Sequence, residues 1–299
     1  MAVFNRVLVA GLPLVPKPIV YRFARRYVAG ETLEQAVAQV RGLNRRGAMA
    51  TLDVLGEEVK DRARAEAFTA ECVWVLETVS REGIDSNLSI KPTMFGLELD
   101  EAFCHENIER IVAAAKARGN FVRIDMEDAT TTDATLRIYR DLHARYGNVG
   151  CVLQAYMRRT LDDIDALPAE GANVRLCKGI YIEPRPIAWK GYETVRQNFV
   201  AALDKLLRKG VYVGIATHDE YLVCAADVLI DGYGLAPDRY EFQMLLGVDE
   251  ELRDLLIERG HRMRIYTPYG REWYAYSMRR LRENPEIAGH VFRAALGRS

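Results

Sequence analysis

One feature of this chain narrows its possible folds more than any other: an alternation. Short apolar runs with strand character are each followed by a turn signal and then by a longer stretch with helical spacing. The runs are Ala48–Leu55, Leu88–Thr93, Phe121–Asp125, Gly150–Gln154, Val174–Cys177, Val211–Ala216, Tyr240–Leu245 and Arg262–Tyr266. Helical spacing covers, among others, Lys60–Arg81, Asn107–Arg118, Asp133–Arg145, Gly191–Arg208 and Asp249–Arg259. A strand returns parallel to its predecessor only through a crossover, so this order predicts a parallel sheet. Eight such units in about 250 residues predict a closed (β/α)8 barrel. The rival is a doubly wound open sheet. Against it, no G-x-G-x-x-G follows the first strand and no G-x-x-x-x-G-K-[ST] occurs. Residues 1–46, with a helix over Thr32–Arg45, are expected to form an N-terminal extension, and residues 47–299 the barrel.

Charge and cysteine content exclude several function classes. Lys and Arg number 41 against 42 Asp and Glu, a formal net charge of −1, so there is no basic face for nucleic acid. The cysteines, Cys72, Cys104, Cys151, Cys177 and Cys224, are odd in number and widely spaced. That pattern suits neither a disulfide framework nor a zinc site and fits a reducing compartment. The apolar run Val7–Val15 resembles the middle of a signal peptide, but Pro13, Pro16 and Pro18 interrupt it and no cleavage site follows. No run approaches ~18 uninterrupted apolar residues. The expectation is a cytoplasmic protein, with room for peripheral contact at the inner face of the membrane.

A barrel gathers its functional residues at the C-terminal ends of its strands. Those ends carry Lys91, then Asp125 and Glu127, then Gln154, then Arg175, Lys178 and Tyr181. Thr217, His218 and Asp219 follow, then Glu241 and Gln243, and finally Tyr266. Taken singly, such a residue is often a solvated loop residue. Seven consecutive strands delivering polar groups to one rim describe a site. Asp125, Glu127, His218 and Glu241 could ligate a divalent metal, as in a metal-dependent barrel lyase or aldolase. Lys91, Arg175 and Lys178 at the same mouth suit an anionic ligand better.

The ordered motifs narrow this further. They are TLDVLGE (Thr51–Glu57), SIKPT (Ser89–Thr93), RIDMED (Arg123–Asp128), LQAYMRRT (Leu153–Thr160) and RLCKGIY (Arg175–Tyr181). ATHD (Ala216–Asp219), YEFQMLLG (Tyr240–Gly247), RIYTPYG (Arg264–Gly270) and YSMRRLREN (Tyr276–Asn284) complete the series. The set resembles the proline dehydrogenase family, in its stand-alone form and as a domain of bifunctional proline-utilisation proteins. The resemblance implies a distorted (β/α)8 barrel that holds FAD non-covalently. It also implies oxidation of L-proline to Δ1-pyrroline-5-carboxylate, with electrons passed to a membrane quinone, and a downstream pyrroline-5-carboxylate dehydrogenase as partner. Departures are Ile182 in place of the common Trp, Asp219 in place of Asn, and Leu246 in place of an aromatic or His.

The resemblance also assigns roles. Tyr276, Arg279, Arg280 and Glu283 share one helix face. That helix, over residues 270–284, is expected to cross the barrel mouth. Arg279, Arg280 and Lys91 would then meet the substrate carboxylate, since a planar guanidinium binds it bidentately. Tyr181, Tyr266 and Tyr276 line the proline ring, and Glu57 closes the site as a gate. Arg175 stands at the N5–C4=O edge of the flavin, with Asp125 orienting it. Met126, Gln154, Lys178, Gly179, Ile180, Thr217 and His218 hold the rest of the FAD, and no metal is called for. A metal-dependent lyase or aldolase, or a non-catalytic barrel scaffold, stays open as the alternative.

Overall fold

A computed structural model describes residues 24–56, 59–168, 170–274 and 276–278. A helix, α1 (Leu33–Arg45), precedes the first strand, and its start is a capping box between Thr32 and Gln35. The strands are β1 (Met49–Val54), β2 (Ser86–Ile90), β3 (Val122–Ile124), β4 (Val149–Gln154), β5 (Asn173–Cys177), β6 (Tyr212–Ala216), β7 (Tyr240–Leu245) and β8 (Met263–Tyr269). They pair in parallel and in order, and β1 closes on β8 with Met49 opposite Arg264 and Val54 opposite Tyr269. The crossovers contain α2 (Arg62–Glu82), α3 (Glu101–Lys116), α4 (Thr132–Tyr146), α5 (Thr160–Asp165), α6 (Tyr192–Arg208), α7 (Glu220–Tyr233) and α8 (Glu250–Glu258). The expected closed barrel is what forms.

Element ends follow local chemistry. α3 starts at Glu101, six residues before the helical spacing suggests, because the Asp100 carboxylate accepts from the amides of Ala102 and Phe103. α2 stops at Gly83 in the left-handed conformation. β8 runs past Tyr266 to Tyr269, tied to β1 along its length. The N-terminal run Val7–Val15 lies outside the described residues. Among the described residues, no helix is long and apolar enough to cross a membrane.

The pleat splits each strand in two. Leu52, Leu88, Ile90, Ile124, Leu176, Ile215, Phe242 and Ile265 join the helices in one buried apolar cluster that also takes in Val37 and Val40 of α1. Alternate residues face the lumen and are polar: Thr51 and Asp53, Asn87 and Ser89, Arg123 and Asp125, Glu241 and Gln243. Their bonds prove the direction. Arg175 on β5 reaches Asp125, just past β3, and Gln243 on β7, strands that are not its neighbours, and such bonds can only cross the lumen.

Candidate active site

The upper half of the lumen holds a closed set of charges. Lys91, just past β2, donates to Asp53 Oδ1 at 2.6 Å and to the Tyr266 hydroxyl at 3.1 Å. It also lies 3.8 Å from Asp125. Burial works to lower the Lys91 pKa, but the Asp53 and Asp125 carboxylates outweigh it and hold the ammonium above its ordinary value. Arg175 donates through Nη1 to Asp125 Oδ1 at 2.6 Å and through Nε to Gln243 Oε1 at 2.5 Å. Ser89 adds a hydroxyl bond to the same Asp125 oxygen at 2.6 Å. The Tyr266 hydroxyl donates to Asp125 Oδ2 at 3.1 Å, and its ring centre lies 5.2 Å from the Arg175 guanidinium. Burial first, then the Asp125 and Asp53 charges, push the Tyr266 phenol well above its usual range, so it stays a donor. Two atoms in this set keep unspent capacity: Arg175 Nη2 and Asp53 Oδ2 are buried with no partner.

One side of the mouth is built by the ends of β4, β5 and β6. Gln154 is buried and donates to the Glu127 carbonyl at 2.8 Å. Gly179 adopts φ +107°, and a Cβ there would fall 2.1 Å from the Tyr156 ring, so only glycine lets the Lys178–Ile180 backbone pass. Lys178 bonds Asp219 at 3.0 Å, and Arg196 and Tyr192 of α6 meet the same carboxylate at 2.7 and 3.0 Å. Thr217 is buried and its hydroxyl accepts from the Asp219 amide. His218 Nε2 accepts from the Leu245 amide at 2.9 Å, and burial lowers its pKa, so the ring is neutral with the proton on Nδ1. Met126 is buried in the core cluster beside Asp125. Ile180 is exposed, and Ile182 is 99% exposed.

A sequence model of the family described as "Proline dehydrogenase" matches residues 36–293. The chain belongs to the proline dehydrogenase family. It is 37% identical to "Proline dehydrogenase" of Deinococcus radiodurans, over 92% of this chain and 91% of that one. It is 36% identical to "Proline dehydrogenase 2" of Bacillus subtilis strain 168, over 90% of this chain and 89% of that one. The crystal structure of proline utilization A from Bdellovibrio bacteriovorus superposes with a TM-score of 0.82 at 21% identity. That match covers 88% of this chain and 32% of the longer protein, and it shows the shared fold. The family is one of proline-oxidising enzymes, and the chain is accordingly an oxidoreductase.

Against the expectations for a proline dehydrogenase, the structure brings Lys91, Asp125, Arg175 and Tyr266 into one network. Tyr276 is buried, packed with Leu55 just past the end of β1, and with Val28 and Trp273. Residues 273, 274 and 276–278 are helical, which starts the expected final helix at the mouth end. Tyr181 is half-buried in the loop after β5. Glu57, Arg279, Arg280 and Glu283 lie outside the described residues.

One expectation, and one alternative, need correction. Glu241 is not a rim residue: it sits at the lower end of β7, pairs with Arg264 at 2.8 Å and accepts from Gln243 at 2.6 Å. The four candidate metal ligands also do not converge. Glu127 is bound by the Thr93 amide and hydroxyl, His218 by Leu245, Glu241 by Arg264 and Asp125 by Arg175. Among the described residues, no group of three or more His, Cys, Asp or Glu is placed to hold a metal. Asp53, Ser89, Arg196 and Tyr192 were not foreseen as part of the site. Strand parity offered a signal for the first two: Asp53 and Ser89 alternate with apolar neighbours, as lumen residues must.

Proposed function

We propose that this protein oxidises L-proline to Δ1-pyrroline-5-carboxylate with a non-covalent FAD and hands the electrons to a membrane quinone. The observation that carries the proposal is the buried Lys91–Asp125–Arg175–Tyr266 network at the barrel mouth, with Arg175 Nη2 left unpartnered. The residues fit FAD. An unsatisfied guanidinium nitrogen, the glycine-only backbone at 179 and the Lys178 ammonium offer donors to a ring carbonyl and a pyrophosphate. When bound, FAD supplies the hydride acceptor.

The chain's own residues do the rest. Arg279, Arg280 and Lys91 bind the substrate carboxylate, and Tyr181, Tyr266 and Tyr276 wall in its ring. Arg175 stabilises negative charge that develops during the reaction, and the bond from Asp125 fixes its plane. Gln154, Met126, Gly179, Ile180, Thr217 and the Nδ1 side of His218 surround the cofactor, and Glu57 gates the mouth. Residues 1–46 serve as an extension to a catalytic barrel spanning 47–299. The protein works in the cytoplasm, in peripheral contact with the membrane that holds its quinone. Its product passes to a pyrroline-5-carboxylate dehydrogenase.

Acid precipitation of the purified protein should give a yellow supernatant that chromatographs as FAD. A colourless protein that FAD cannot reconstitute would overturn the cofactor assignment. Arg280→Met should raise the proline KM at least about tenfold, because a charge-assisted bond contributes ~1.5–3 kcal/mol. FAD content should be unchanged. Proline kinetics identical to the parent's would remove Arg280 from the site.

A further inference from the structure

At the opposite end of the barrel, among the N-terminal ends of the strands, lies a cavity of about 310 Å³. That face of a (β/α)8 barrel ordinarily serves stability alone, and nothing proposed above uses it. Its wall includes Asn87, Arg123, Asn173, Tyr212, Arg262 and Arg264, with the carboxylates of Asp85 and Glu241. Three guanidinium groups thus face two carboxylates. Glu241 is engaged by Arg264 at 2.8 Å and by the Tyr212 hydroxyl at 3.0 Å, and Asp85 stands exposed at the rim. Neither Arg123 nor Arg262 has a carboxylate within ion-pair distance among the described residues. Arg123 is buried on the carbonyls of Cys151 and Asn173, with its Nε unpartnered. Among the described residues, the half-buried Arg262 guanidinium bonds only the Met49 sulfur at 3.4 Å and lies 5.9 Å from the centre of the Tyr212 ring.

The amides point the same way. Asn87 is 8% exposed, and its Oδ1 is taken by the Thr51 hydroxyl. Asn173 Oδ1 is taken by Arg123, and Asn120 Oδ1 by the Phe121 amide. The Nδ2 groups of Asn87 and Asn173 donate to no described residue. The buried lining acceptors are therefore spent, the exposed Asp85 carboxylate staying at the rim, while donors and positive charge remain inside, which favours an acceptor-rich anion. The volume is about ten times the ~30 Å³ that a water molecule occupies, enough for a small organic acid.

We propose that this floor cavity is a binding site for a small oxyanion, a carboxylate or a phosphate, separate from whatever the mouth binds. Glu241 in its wall lies two hydrogen bonds below Arg175, through Gln243. An occupant would therefore adjoin the lower end of the lumen network.

The full-length protein is titrated with inorganic phosphate and, separately, with succinate, at ionic strength held constant with chloride, while Tm is followed. At least one anion should raise Tm progressively with concentration. Phosphate as the effective anion identifies a phosphate ligand, and succinate a carboxylate. Arg262→Gln should weaken that anion at least about tenfold, whereas Lys178→Met should leave it unchanged. No rise beyond chloride would overturn the proposal, as would a rise lost in Lys178→Met and kept in Arg262→Gln. Should Arg262→Gln fail to fold, crystals of the parent protein soaked in the effective anion decide. Density bridging Arg262 and Asn173 supports the site, and its absence there removes it.

Discussion

The two halves of the barrel lumen use the same residue types to different ends. In the lower half, the buried acceptors are spent and only donors are left over: Arg264 and Tyr212 take Glu241, Thr51 takes the Asn87 side-chain oxygen, and Arg123 Nε stays unpartnered. Burial, then the nearby Arg175 charge, push the Arg123 pKa down to about 10, which still leaves the guanidinium charged at neutral pH without a bonded carboxylate. Glu241 goes the other way: burial raises its pKa, but the Arg264 charge outweighs that and holds it low. In the upper half, Lys91, Asp53, Asp125 and Arg175 are cross-linked yet retain free valences at Arg175 Nη2 and Asp53 Oδ2. A barrel interior is ordinarily packed with branched apolar residues. Replacing them by charges lowers packing stability, and each half keeps capacity in reserve for a ligand: donors alone below, a donor and an acceptor above. Gln243 joins the halves, and Gly214 makes room for it, since a Cβ there would lie 2.4 Å from Gln243 Nε2.

The sharpest way to break this comparison is Lys91→Met. It strands Asp53, 1% exposed, without its cation, and should cost about 3–5 kcal/mol in urea unfolding. Adding Asp53→Asn should recover most of the loss, whereas a single variant as stable as the parent would mean that Asp53 is already neutral. Next comes Gln243→Leu, which removes the partner of Arg175 Nε and a donor to Glu241. A cost of about 1–3 kcal/mol is expected, together with a fall in kcat and little change in KM. If kcat holds, the two halves are mechanically independent. At the floor, Thr51→Val deletes only the hydroxyl bond to Asn87 and should cost about 1 kcal/mol with both kinetic constants intact. An altered kcat there would erase the distinction between the halves.

The smallest effect belongs to Asp219→Asn at the mouth. Asparagine caps α7 as well as aspartate does, so the fold should persist. Lys178 and Arg196 lose their shared anion, and FAD affinity should rise a few-fold, in line with ~1 kcal/mol for pairs whose cations are partly exposed. Burial raises the Asp219 pKa, but bonds from Arg196, Lys178 and Tyr192 outweigh it, leaving the pKa well below the ordinary 3.8. A carboxyl with a depressed folded pKa stabilises above 3.8, and that contribution is lost as the pH falls further. The parent should therefore keep a constant Tm advantage over the variant above about pH 4, and the two should converge below it, the variant losing less on acidification. Parallel acid limbs would show that the cluster adds nothing to stability.

Much of the mouth was legible because strand ends are punctuated: Lys91, Asp125 and Tyr266 each stand at the end of an apolar run, Arg175 lies in a motif of the family, and each lies in the network. Asp53 and Ser89 were not, because a polar residue inside a strand reads as an interruption until its face is known. Glu241 was misplaced for a related reason. Its run, Tyr240–Leu245, offers two polar positions of equal parity that both read as strand-end residues, although in a parallel barrel Glu241, the earlier of the two, must lie lower.

The sequence by itself determined the order of elements, the parallel pairing and the family, because apolar periodicity and motif order are local properties of the chain. Only the tertiary structure decided which charges meet. Strand register and barrel closure bring β5 across to β3 and β7, and β2 across to β8. Those contacts depend on the height of each side chain along the lumen, a quantity set by closure of the whole sheet and by no single segment.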